Sequence, residues 1–302
     1  MLFLQYVLKK INALNTEFQS EGFRLHLVHR SVCNEYRAIL SGFVREDVIR
    51  DRPLIDIDPN DSRVYLPTED VYLGGAAMAQ FVTEPVQHIA NDIKNDCKRF
   101  MIEICNQIRK RINLDARSLL ARMQVLDPAY VKNIDGSPRS ITDIAAHFPT
   151  LVPQEQLNQL DDEWREFRQA ETAMHTEDTS IPSYWYQVRN VKNALNQAKF
   201  ETLSHFMTSL TALPHSTAAV ERVFSEVNCT KTSRSNRMTT ESVKNRILAR
   251  QLVSRGGCCT TWTPPNELIR DAADGSCYRR YQKRLEEHQE NDTIHVEQLN
   301  LD

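Results

Sequence analysis

Glu221 and Arg222 stand side by side in a run of small and apolar residues, PHSTAAVERVFSEVN (214–228). Pro214 ends whatever precedes it, and Ser216 is placed to cap a new helix. At about 100° per residue, Val220, Val223, Phe224 and Val227 share one face, the face expected to pack. Glu221 falls at the edge of that face, with Ala218 and Ser225 at i−3 and i+4. Small neighbours leave space round a carboxylate for a metal ion, a backbone or another chain. Arg222 points away from the apolar face.

Other chemistry-bearing groups form no complete set. DIDPND (56–61) opens like a calcium loop, with oxygens at Asp56, Asp58 and Asn60, but the required sixth glycine is Asp61 and the twelfth glutamate is Pro67. Cys258 and Cys259 follow Gly256 and Gly257 without C-x-x-C or paired-histidine spacing. Cys97 and Cys105 read as packing residues. Nine histidines are scattered without a carboxylate at motif distance, and no glycine-rich phosphate loop or G-x-S-x-G turn occurs. A self-contained enzyme of those kinds is disfavoured.

The elements that must position Glu221 and Arg222 read as helices. Of eight glycines only Gly136 lies between Gly75 and Gly256, so long spans lack the residue that most weakens a helix. The clearest helix starts at Pro85, with Val86, Ile89, Ile93, Cys97, Phe100, Ile104, Ile108 and Ile112 recurring every three or four residues. Further helices are expected over 2–19, 24–43, 154–171, 190–211, 216–227, 239–254 and 276–289. The spacing predicts a long irregular connection over 45–83, a break over 126–152 and an exposed linker over 172–183. The last dozen residues should fray.

With 41% hydrophobic and 25% charged residues and a net charge of −3, the chain reads as globular and is no polycation. Seven cysteines at scattered spacings argue for reduced thiols in an intracellular protein. No apolar run reaches the ~18 residues of a membrane span. Between 221 and 255, eight Lys/Arg stand against three Glu, a local charge of +5. Lys231, Arg234 and Arg237 could touch DNA phosphates, giving weak, non-specific, salt-dependent binding. On the residues alone, 213–255 is either an ordinary solvated hairpin or a functional patch.

The run PHSTAAVERVFSEVNCTKTSRSNRMTTESVKNRIL resembles the C-terminal dimerisation region of hAT-type transposases and their host-protein descendants. Ser216, Ala218, Glu221, Arg222, Phe224 and Ser225 fit the family's Ser-x-Ala-x-x-Glu-Arg-x-Phe-Ser pattern. Lys231, Thr232, Asn236 and Met238 continue it. LNTEFQSEGFRLHLVH (14–29) is similar to a helical segment of the family's insertion domain. One departure is Ser235, where the family usually carries arginine.

The resemblance implies a mainly α chain: an insertion-like helical bundle over 1–212, the dimerisation region over 213–255, and a partly disordered extension over 256–302. It implies the last helices of an RNase H-like core, present incompletely. In the family three carboxylates hold divalent metal at DNA phosphates, and the third corresponds to Glu221. The other two precede the insertion in which this chain begins, so Glu221 is expected to be vestigial, the chain no enzyme, and no cofactor needed. The alternative is a DNA transposase whose first half lies upstream, with Mg²⁺ or Mn²⁺ and Glu221 as third acid. The expected partner is the chain itself or a related hAT-type protein, in the nucleus and with no membrane. Met238, Val243, Ile247, Leu248 and Leu252 form a second apolar stripe beside that of Val220, Val223, Phe224 and Val227. Together they are the expected association surface.

Overall fold

The structure is a computed structural model that describes residues 1–20, 22–83, 87–170, 179–232, 235, 237–275, 279 and 282. The helices run in order α1 (Leu2–Phe18), α2 (Leu25–Leu40), α3 (Glu46–Asp51), α4 (Gly75–Thr83) and α5 (Gln87–Arg111). Then follow α6 (Leu119–Arg122), α7 (Pro128–Lys132), α8 (Thr142–Ala145), α9 (Leu157–Gln169) and α10 (Ile181–Val188). The last four are α11 (Glu201–Leu210), α12 (Ala218–Thr230), α13 (Thr240–Arg255) and α14 (Asn266–Ala273). Among the described residues no strand forms, so the fold is mainly α. The chain divides into two compact units, Met1–Val220 and Glu221–Asp302.

The first unit holds two hydrophobic clusters. One is built by Phe3, Val7 and Leu14 of α1, Val32, Tyr36, Ile39 and Leu40 of α2, and Met101 and Cys105 of α5. Their three- and four-residue spacing puts each set on one helix face. The 45–83 span, expected as a loose connection, is structured against this cluster. Val48, Leu54, Ile57, Val64, Val71 and Leu73 are all buried, and Arg109 Nη1 on α5 donates to the Ile57 carbonyl at 2.7 Å. Gly74 adopts φ +95°, and a Cβ there would fall 2.6 Å from the Tyr6 ring, so glycine is required at this approach.

The expected stripe on α5 is corrected in part. Met101 and Cys105 take the buried centre, whereas Ile89, Ile93 and Phe100 are exposed by 37–40%. Steps of four residues overshoot one turn by about 40° each, so a stripe of mostly fours rotates away from a fixed packing surface. Val86 lies outside the described residues.

The second cluster gathers Trp164 and Phe167 of α9, Tyr184, Trp185 and Val188 of α10, and Phe200 with Leu203, Phe206, Met207 and Leu210 at α11. Its polar atoms are satisfied internally. Trp185 Nε1 donates to the Leu126 carbonyl at 2.8 Å and Trp164 Nε1 to that of Pro138 at 2.9 Å. The buried Glu163 carboxylate accepts from Leu203 N at 2.8 Å, supplying the first turn of α11 with the acceptor that its N-cap, Phe200, lacks.

Two sequence expectations fail in this region. The helix expected over 190–211 is helical only from Glu201. Before it, Asn193 Oδ1 accepts from Leu195 N and Gln197 N, and Asn196 takes φ +62°. Asparagine side chains here compete with the helical ladder and close a turn. Of the linker expected over 172–183, residues up to 178 lie outside the described residues. Its end is helix: Ser180 caps α10 by accepting from Ser183 N, with Pro182 in the first turn. The helix expected over 276–289 and the frayed end lie outside the described residues, apart from 279 and 282.

Candidate dimerisation surface

Ser216 does more than begin a helix. Its hydroxyl donates to the Phe18 carbonyl at the end of α1 at 2.6 Å, while accepting from Ala218 N at 3.4 Å. The helix that follows is rotated about its axis from the sequence expectation. Val220, Val223 and Phe224, expected to pack, are exposed by 54%, 41% and 63%. Ala218 and Val227 are half-buried and Ser225 is exposed. The covered arc is the one that runs through Glu226, Val227 and Thr230: Thr230 is buried, and Glu226 Oε2 and Thr230 Oγ1 are shielded from water without a hydrogen-bond partner. Glu221 is exposed and Arg222 half-buried, and each has a partner within the chain. Among the described residues no group of three or more His, Cys, Asp or Glu could hold a metal ion.

The α12–α13 connection explains the serine that departs from the family pattern. Ser235 Oγ donates to the Thr230 carbonyl at 2.6 Å and accepts from Thr232 N at 2.9 Å, which closes the turn. Thr239 then caps α13, its hydroxyl accepting from Ser242 N at 3.2 Å. Lys231 and Arg237 are exposed; Arg234 and Asn236 lie outside the described residues.

On α13 the second stripe divides. Val243 and Ile247 are buried to 6% exposure, Met238 ahead of the helix is half-buried, and Leu248 and Leu252 are about half exposed. Ile247, expected on the association surface, is packed within its own chain. Lys244, Arg246, Arg250 and Arg255 are exposed. An exposed apolar line flanked by cations is a surface that can be covered by a partner without stranding the charges, whose long side chains reach past the contact to water.

Residues 157–253, less than half of the chain, match the family model of the hAT family C-terminal dimerisation region. The match supports the resemblance to the C-terminal part of a hAT-type transposase-related protein. It begins at Leu157, well upstream of the Glu221–Arg222 motif, and so takes in α9, α10 and α11 with the Trp164–Trp185 cluster. No curated protein and no solved structure matches. The signal in the sequence for this upstream part was S-I-P-S-Y-W-Y-Q-V (180–188): a capping serine, a proline in the first turn and an aromatic run too apolar for a linker.

Proposed function

We propose that the chain is a protein-association module of a transposase-derived protein, joining a second copy of itself or a related hAT-type chain through 213–255. The observation that carries this reading is the exposure of Val220, Val223 and Phe224 on α12 and of Leu248 and Leu252 on α13. Single exposed apolar residues are ordinary, but repeated ones on the faces of two successive helices favour removal from water by a partner. The family match over this segment supports the same reading. Size-exclusion chromatography with light scattering tests it: the intact chain should show twice the 34.9 kDa of one chain. A monomer mass at high concentration sinks the reading.

The proposal extends to chemistry and place. The resemblance gives Glu221 as one acid of a set whose other two members it puts elsewhere, so the chain by itself acts without cleaving DNA. The RNase H-like character of 213–255 belongs to this reading, as do the nuclear setting and the domain division at 212 and 255. The exposed cations of 231–255 supply weak, non-specific contact with DNA phosphates, which should fade as salt rises.

A further inference from the structure

Arg168, on α9, is a buried cation of the first unit, with 7% of its surface exposed. Its Nε donates to Ser137 Oγ at 2.9 Å, and its Nη2 donates to the Ile134 and Ser137 carbonyls at 2.7 and 3.1 Å. These bonds use three of the five guanidinium donors and fasten the 134–137 turn to the helix. They do not neutralise the charge. Among the described residues no carboxylate pairs with Arg168, and its Nη1 makes no hydrogen bond. The acid two turns back on the same face, Asp161, is committed to Arg165 at 2.9 Å and to Ile141 N at 3.2 Å. A buried charge is costly unless an opposite charge accompanies it.

Arg168 also lines an open cleft of about 580 Å³, with Ser137 and Gln169 and with the exposed Arg139 and Arg165. One acid, Asp135, stands in the same lining. Arg165 is answered by Asp161, so Arg139 and Arg168 stand against Asp135 and leave a surplus of one positive charge. Arginine's planar fork matches the tetrahedral edge of a phosphate, where two parallel N–H donors meet two oxygens. The volume falls within the range of small-ligand sites, about 300–1,000 Å³, and so suits a phosphate with or without a small organic body.

We propose that this cleft binds a phosphate group, free or carried by a small molecule, between the guanidiniums of Arg168 and Arg139. The anion completes the charge that Arg168 leaves unanswered, and Arg139 closes on it from the rim. The site is independent of association through 213–255, so either can fail alone.

The test is isothermal titration of the full chain with inorganic phosphate and with a nucleoside monophosphate, at constant ionic strength with sodium chloride as control. Saturable binding is expected, weakened at least about tenfold by Arg139→Gln, with an unchanged circular dichroism spectrum. Arg168→Met should abolish binding; should that variant not fold, the exposed Arg139→Gln still decides. Tighter binding of the nucleotide assigns an ester as ligand, and equal binding assigns the free ion. The proposal is overturned by absence of saturable heat up to about 10 mM of either compound. Equal affinity in Arg139→Gln, or binding of a duplex oligonucleotide alone, would overturn it as well.

Discussion

Phe224 and Thr230 lie about 120° apart round α12, and it is the phenylalanine that faces water and the threonine that is buried. A helix in this orientation offers its apolar side to another molecule. Substitution at Phe224 or Leu248 should therefore separate association from folding. Phe224→Ser and Leu248→Asp are expected to move the light-scattering mass from dimer to monomer, a loss of about 2 kcal/mol or more if either is an anchor. Thermal unfolding should change little, by about 0.5 kcal/mol, because both side chains are more than half exposed. Ile247→Asp should behave differently and unfold its unit, since Ile247 is buried.

Trp185 should be among the most sensitive positions of the first unit. It is fully buried, meets Phe167 at 5.2 Å between ring centroids and donates to the Leu126 carbonyl. Trp185→Ala removes a large side chain and strands that carbonyl, and is expected to cost about 3–5 kcal/mol in urea denaturation. A loss below about 1 kcal/mol would mean that the aromatic cluster is not the core of this unit.

The thiols should differ in reactivity by their surroundings. Hydrogen bonds from Thr260 and Thr261 hold the exposed Cys258 thiol down to about 6, whereas burial pushes Cys105 up to about 12. Cys258 is then mostly thiolate at neutral pH, and its alkylation should rise through pH 6 and level off by about pH 7. Cys105 should stay unmodified in the folded chain across that range. Peptide mapping after brief iodoacetamide treatment reads both; early labelling of Cys105 would contradict the burial.

Metal should be irrelevant to the assembly. Chelation with EDTA is expected to leave the dimer mass unchanged, and Glu221→Gln should do the same. Incubation with Mg²⁺ or Mn²⁺ and family-type DNA ends should yield no cleavage product. Cleavage abolished by Glu221→Gln would show that other acids of this chain complete a metal site.

The helical class was legible in the residues, because glycine-poor spans and three-and-four spacing leave few other ways to bury apolar side chains. The starts of α12 and α13 were legible too, through Ser216 and Thr239. The aromatic run of α10 carries a helix signal in Ser180 and Pro182, but it adjoins a polar stretch that reads as a linker. Asn193 and Asn196 broke the helix before α11 by local hydrogen bonds that a pattern of apolar residues does not record.

What the sequence by itself determined was that Val220, Val223, Phe224 and Val227 form one side of a helix, and that Val243, Ile247, Leu248 and Leu252 recur along the next. Only the tertiary structure decided which of them are covered within the chain. It buried Val243 and Ile247, left Val220, Val223, Phe224, Leu248 and Leu252 open, and turned Glu226 and Thr230 inward. The physical reason is that periodicity fixes which residues share a face, whereas the surface that covers the face comes from distant parts of the chain or from another molecule. The hydrophobic effect rewards either source alike.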